Sequence, residues 1–183
     1  PKSVSTGLCR RICHLCGVDS NMSSHPRPSE QEDNVSQFFQ IHPENPQPRL
    51  IKQAVEIIRK GGVVVYPTDS SYAMGCQIGD KTAVERVRRL RGLDKSHNFT
   101  LICSDLSQLG LFAKIDTRTF RLLKAHIPGP YTFILNGTRE VPRLLLHDKR
   151  RTIGLRVPDH PIIQALVAEL GEPLMSVSLL LPG

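Results

Sequence analysis

Tryptophan is absent from this 183-residue chain, and aromatic residues together make up 5% of it. That scarcity leaves little material for a stacking platform on which single-stranded nucleic acid could lie. Long apolar runs are missing too: nothing approaches the roughly 20 residues that span a bilayer, so no membrane partner is expected. The opening PKSVSTGLCRRICHLCG holds no uninterrupted apolar block and does not read as a secretory signal. Cysteine is sparse, five residues in an odd count with no regular framework. Reduced thiols and a cytoplasmic setting are the expectation.

What is present is a globular composition, 39% hydrophobic and 22% charged. The length suits one domain with one substantial core. Net charge is +7, and its distribution matters more than its total. Lys2, Arg10, Arg11 and Arg27 are cancelled by Asp19, Glu30, Glu32 and Asp33, so the excess lies beyond residue 34, much of it in 86-RVRRLR-91 and 149-KRR-151. A basic surface attracts polyanions, whether nucleotide phosphates or an RNA backbone. Each run taken singly reads first as a solvated face.

Residues 1–34 are rich in Ser, Pro, Asn and Cys, lack apolar periodicity and end in 26-PRPSEQEDN-34. They read as a disordered or adventitious extension, and the folded domain is expected over 35–183. There the pattern predicts a helix from Pro48 to Lys60 with Leu50, Ile51, Ala54, Val55 and Ile58 on one face and Gly61-Gly62 as its stop. A strand over Val63–Tyr66 follows. Next comes a helix over 83–91, entered through a capping box at 82-TAVE-85, with Ala83, Val87 and Leu90 inward. Strand 99-FTLIC-103, helical turns at 105–112, a helix over 117–126, strand 131-YTFIL-135 and the segment 152-TIGLRV-157 come after. A helix 161-PIIQALVAEL-170 and a last strand at about 174–181 complete the pattern. Helices alternating with strands predict an α/β class: an open, twisted, mixed or parallel sheet flanked by helices.

The densest chemistry lies in 67-PTDSSY-72, where five side chains carry a hydroxyl or a carboxylate directly after 63-VVVY-66. Such sheets bind ligands beyond the carboxyl ends of their strands, and Pro67 helps to end this one. A turn rich in Asp, Ser and Thr is by itself only a turn. Its company gives it weight: 67-PTDSSYAMGC-76, 89-RLRGLDKSHNFTLI-102, 128-PGPYTFIL-135, 152-TIGLRVPDHP-161 and 173-PLMSVSLLLPG-183, in that order. Together these resemble the YrdC-like family of threonylcarbamoyl-adenylate synthases, and within it the YciO-type branch, over about Ser36 to Gly183.

That resemblance implies an open twisted α/β sheet around a concave, positively charged cavity. It also implies ATP and AMP, L-threonine and bicarbonate as partners, Mg²⁺ arriving with ATP, and a place in tRNA threonylcarbamoyladenosine formation. A double-stranded RNA- or tRNA-binding module using the same basic surface without catalysis is the alternative. By the family pattern Thr68 and Tyr72 would touch threonine, Thr132 would lie by the nucleotide, and Arg156 would meet phosphate. Without the family, Tyr72 reads as a core tyrosine, Thr132 as a sheet residue and Arg156 as a surface ion-pair partner. Synthases carry a Lys-x-Arg pair and a Ser-x-Asn pair, all four facing the triphosphate. Aligned without gaps these fall on Arg91 and Leu93, and on Ser178 and Leu180. Arg91 and Ser178 are therefore the candidate catalytic and nucleotide-binding groups, and the two leucines imply weak or repurposed synthase activity.

Other candidates carry less. Cys9, Cys13 and Cys16 have the C-x3-C-x2-C spacing of radical-SAM enzymes, but no barrel accompanies them and no iron–sulfur cluster is expected. Cys76 and Cys103 are expected to pack as small apolar residues. His97 has no metal-ligand partner at a suitable spacing, and His160 reads as a helix-entry residue. Similar proteins continue past SLLLPG with further strands and helices, so an incomplete C-terminus is expected.

Overall fold

A computed structural model describes residues 36–94, 97–147 and 149–179. The extension 1–34, with Cys9, Cys13 and Cys16, and Leu180 lie outside the described residues. Contacts divide the chain after Gln40, and the unit from Ile41 carries all the elements below.

Helix α1, Pro48–Arg59, starts on a proline whose missing N–H is no loss in a first turn, and it buries Ile51, Ala54, Val55 and Ile58. Strand β1, Val64–Pro67, turns back into β2, Tyr72–Gln77. This hairpin is absent from the sequence expectation, because YAMGCQ is broken by Gly75 and does not alternate. Both faces of β2 are covered, so Ala73, Met74, Gly75 and Cys76 are all buried.

Helix α2, Lys81–Arg91, begins two residues before the expected Ala83. Its cap is Asp80, whose carboxylate accepts from the Ala83 amide at 3.0 Å, and not Thr82 of the presumed capping box. Arg88 is also a correction, since it does not belong to a solvated face. It is 8% exposed, stacks its guanidinium 4.8 Å from the Phe99 ring centre and donates to the Asp94 carbonyl at 2.8 Å. There follow β3 (Thr100–Ile102), α3 (Leu106–Phe112), α4 (Thr117–His126), β4 (Phe133–Asn136), β5 (Thr152–Arg156), α5 (Pro161–Leu170) and β6 (Leu174–Ser178). His160 does enter α5, its Nδ1 accepting from the Ile162 amide. Gly171 ends that helix at φ 78°, a left-handed conformation that glycine adopts without strain.

The six strands lie in the order β1-β2-β6-β3-β5-β4. Only β3 and β5 run parallel; the other pairs are antiparallel. The sheet is thus mixed, and antiparallel for the most part. On one face Met74, Cys76, Leu101, Leu155, Met175 and Val177 pack with Ala83, Val84 and Val87 of α2, Leu109 of α3 and Leu123 of α4. On the other, α1 and α5 contact each other and β1. Arg59 donates to the carbonyls of Glu169 and Leu170 at the end of α5, tying these two helices together.

Candidate functional site

The register decides which side chains share the face on which α1 and α5 lie. Gly75 pairs with Ser176, Ser176 with Thr100, and Thr100 with Gly154. Alternation then puts Ala73, Ser178 and Arg156 on that same side. The row is small and polar for a steric reason. A Cβ on Gly154 would stand 2.8 Å from Thr100 Oγ1 and 3.2 Å from Thr132 Cγ2. Glycine leaves room for both threonines.

On this same face, Tyr66 pairs with Ala73 and reaches inward from β1 until its hydroxyl meets Ser176 Oγ at 2.5 Å. Both residues are buried. Burial pushes the phenol well above its usual pKa, opposed by the Ser176 hydrogen bond and by the positive charge of Arg156. The neutral hydroxyl is therefore the form present at ordinary pH.

The β1–β2 turn is braced from within. Thr68 Oγ1 donates to the Ser71 carbonyl at 2.6 Å and accepts from the amides of Ser70 and Ser71. Asp69 leaves the turn to form an ion pair with Arg156, and Ser70 Oγ accepts from the same guanidinium nitrogen at 3.0 Å. In a flat sheet β1 and β5 would stand four strand spacings apart, about 19 Å. An arginine side chain cannot bridge that distance alone, so the sheet twists and the turn folds over its face.

The candidate residues accordingly fall into groups. Arg156 joins the turn that contains Thr68. Thr132 precedes β4, where continued pairing sets it beside Arg156, and the Gly129 amide bonds to the Val157 carbonyl close by. Arg91 donates from Nε to the Ser178 carbonyl at 3.1 Å, which brings these two together at the end of α2. Tyr72 is set apart: it opens β2 on the alternation of Met74 and Cys76, the face opposite Ser178, and is 46% exposed. Asp69 is the residue that the sequence reading missed. Its only signal was position in the polar turn, and its partner lies 87 residues away.

Cys76 and Cys103 are fully buried, and burial pushes each thiol up to about 12, aided by Asp80 and Asp105 respectively. They pack as small apolar residues. Burial, then the positive charges of Arg88 and Arg91, push the His97 imidazole below its usual pKa, opposed by Asp94. An open cleft of about 530 Å³ lies between β4 and the start of α4, lined by Lys114, Asp116, Thr119, Ile134 and Asn136 among others. A second, of about 400 Å³, is lined by Gly92, Leu93, Asp94, His97 and Asn98. Neither includes Thr68, Arg156 or Ser178. Among the described residues no three His, Cys, Asp or Glu side chains could hold a metal ion together. No helix among them is long and apolar enough to cross a membrane.

A six-stranded mixed sheet with a polar turn folded over one face defines an α/β architecture, and comparison with known proteins makes the class specific. Residues 56–183 match the Sua5, YciO and YrdC family model, described as telomere recombination. The chain belongs to that family. It is 64% identical over 149 residues to the uncharacterized protein YciO of Escherichia coli K12, covering 81% of this chain and 72% of that one. The crystal structure of E. coli YciO superposes with a TM-score of 0.78 over the same shares of the two chains. The threonylcarbamoyl-AMP synthase of Nitrosococcus oceani is 36% identical over 129 residues, 70% of this chain and 69% of that one. P. abyssi Sua5 complexed with L-threonine superposes at 0.69 with 28% identity, covering 73% of this chain and 39% of that one.

Proposed function

We propose that this chain binds a nucleotide and a small hydroxy amino acid on this sheet face, as a threonylcarbamoyl-AMP synthase of reduced activity in the cytoplasm. One observation carries the proposal: the hydroxyl-rich turn meets the Arg156 cation across the sheet. A hydroxy amino acid and a phosphate need those two chemistries side by side. The 36% identity to the N. oceani synthase supports it, as does the likeness to a Sua5 that holds L-threonine.

In the reaction proposed, threonine's amine and bicarbonate give a carbamate with loss of water, and the carbamate oxygen attacks the α-phosphate of ATP while pyrophosphate leaves. The protein's work is alignment and charge neutralisation. Arg156 and Arg91 supply positive charge, Thr132 flanks the nucleotide, Ser178 lies toward the phosphates, and Thr68 with Tyr72 receives threonine. Tyr72 must turn from its strand alternation to do so. Mg²⁺ would arrive with the phosphates of ATP, whose charge it would help to neutralise, as is usual for nucleotides. With leucine at 93 and 180, each missing charge-assisted hydrogen bond withholds about 1.5–3 kcal/mol.

The test is pyrophosphate release from labelled ATP with bicarbonate and Mg²⁺. Release should depend on threonine, stay slow, and vanish in Thr68→Ala. The reading fails if no threonine-dependent release occurs. Salt-sensitive binding of double-stranded RNA or tRNA that survives Thr68→Ala would then favour the non-catalytic RNA-binding module.

A further inference from the structure

Asp69 uses both its carboxylate oxygens outside its own turn. Oδ1 takes the Arg156 guanidinium, and Oδ2 accepts from the Asp159 amide at 3.1 Å. Among the described residues, the bonds that tie residues 68–71 to other elements end on these two partners, with Ser70 adding a second bond to Arg156. The Thr68 bonds stay inside the turn and hold its shape whether or not it is docked. Docked, the two side chains of the ion pair are 12–13% exposed. The guanidinium is then committed to one nitrogen: Nη2 serves Asp69 and Ser70, while the buried Nε has no partner.

An arginine so placed is neutralised by an internal anion. A phosphate approaching the face must share the guanidinium with Asp69 or replace it, and two anions side by side repel. Replacement would also give Nε an acceptor, since guanidinium grips oxyanions along an edge of two N–H groups. We propose that the β1–β2 turn is a strap latched over the sheet face by Asp69. An oxyanion, the phosphate of a nucleotide or free pyrophosphate, displaces Asp69 from Arg156 and so releases the strap. Asp69 acts through Arg156, as a gating residue and not a catalytic one. The inference rests on the reading of Arg156 as the phosphate-meeting group.

The Asp159 amide reports the latch directly, because its partner is Asp69 and its own residue is exposed. In the full chain, inorganic pyrophosphate is titrated with EDTA present while amide exchange is followed by NMR. At saturation the Asp159 amide should exchange about tenfold faster or more, and the Thr68, Ser70 and Ser71 amides should shift. Asp69→Asn should bind pyrophosphate about tenfold tighter than the wild type, a gain of about 1.4 kcal/mol. Ser70→Ala, which keeps the ion pair, should change affinity less than threefold. Weaker binding by Asp69→Asn would make Asp69 a fixed support for Arg156 and overturn the latch. So would an Asp159 amide unmoved at saturating pyrophosphate, or no pyrophosphate binding by either protein. If Asp69→Asn does not fold, the wild-type exchange experiment decides alone. The two readings fail separately: threonine-dependent turnover with an unmoved Asp159 amide removes only the latch. Strap release by pyrophosphate without such turnover removes only the synthase assignment.

Discussion

Removing the Tyr66 hydroxyl tests the buried polar pair on the sheet face. Tyr66 is 2% exposed and Ser176 4%, and their oxygens meet at 2.5 Å. Tyr66→Phe deletes the donor and leaves a small serine hydroxyl that can turn toward a backbone carbonyl, so a loss of about 1 kcal/mol is expected. Ser176→Ala is worse, because it strands the phenol hydroxyl in a site that water does not reach, at about 2–3 kcal/mol. The double variant removes both polar groups and should be no less stable than Ser176→Ala alone. The coupling is then about 1–2 kcal/mol. For a folded unit of this size each kcal/mol moves the melting temperature by about 2–4 °C. Urea titrations of the four proteins at pH 7 measure the cycle. Single-variant losses that simply add, within about 0.3 kcal/mol, would show that the two hydroxyls do not depend on each other and would refute the reasoning.

The remaining expectations concern titration and helix ends. The Cys76 and Cys103 thiols are pushed from 9.0 to about 12 chiefly by burial, so the folded state keeps protons that the unfolded state has lost. Their stabilising contribution is whole below pH 9 and falls between pH 9 and about 12, by at most about 1.4 kcal/mol per pH unit for each thiol. Urea midpoints at pH 8, 9.5 and 10.5 should decline, and Cys76→Ala or Cys103→Ala should flatten the slope; an unchanged slope rejects the assignment. Asp80→Ala should cost about 1 kcal/mol through the lost cap, whereas Thr82→Ala should stay within about 0.5 kcal/mol, a contrast that thermal melts resolve. Arg88→Ala should destabilise by about 2 kcal/mol or more, since Arg88 is buried on Phe99 and bonded to the Asp94 carbonyl. Arg89→Ala, on the exposed side of the same helix, should be nearly neutral; equal losses would place Arg88 at the surface after all.

Sequence periodicity exposed those elements that bury one side. Helix α1 shows its stripe of Ile51, Ala54, Val55 and Ile58 because its other flank is in water. Strand β2 hid because it is covered on both faces, so Ala73 and Gly75 carry no polar contrast to Met74 and Cys76. The cap of α2 was misread by two residues because Asp80 and Thr82 are both competent caps, and only the hydrogen bond to the Ala83 amide separates them. Arg88 looked like one more member of a basic run. Its burial depends on Phe99, which arrives from β3's approach and leaves no trace in the local pattern. Within the candidate site, Thr68, Arg156 and Ser178 were visible as members of ordered blocks. The Asp69–Arg156 pairing was not, since a contact between chain positions 87 apart needs the twist of the sheet.

The leucine at position 93 has a local explanation that stands apart from catalysis. Helix α2 closes with Gly92 at φ 60°, whose amide bonds to the Arg89 carbonyl, while the Leu93 amide bonds to the Arg88 carbonyl at 2.9 Å. That pair of bonds is a Schellman cap, in which the residue after the glycine turns back to make an apolar contact with the helix. Leu93 fills the position and packs against the cluster that holds Val87. A cation there would have to give up that contact or remain uncompensated beside it. Arg91, two residues earlier, bonds through its Nε to the Ser178 carbonyl. On the function proposed here, the end of α2 thus carries a firm helix stop at Leu93, and the positive charge beside the Ser178 carbonyl is that of Arg91.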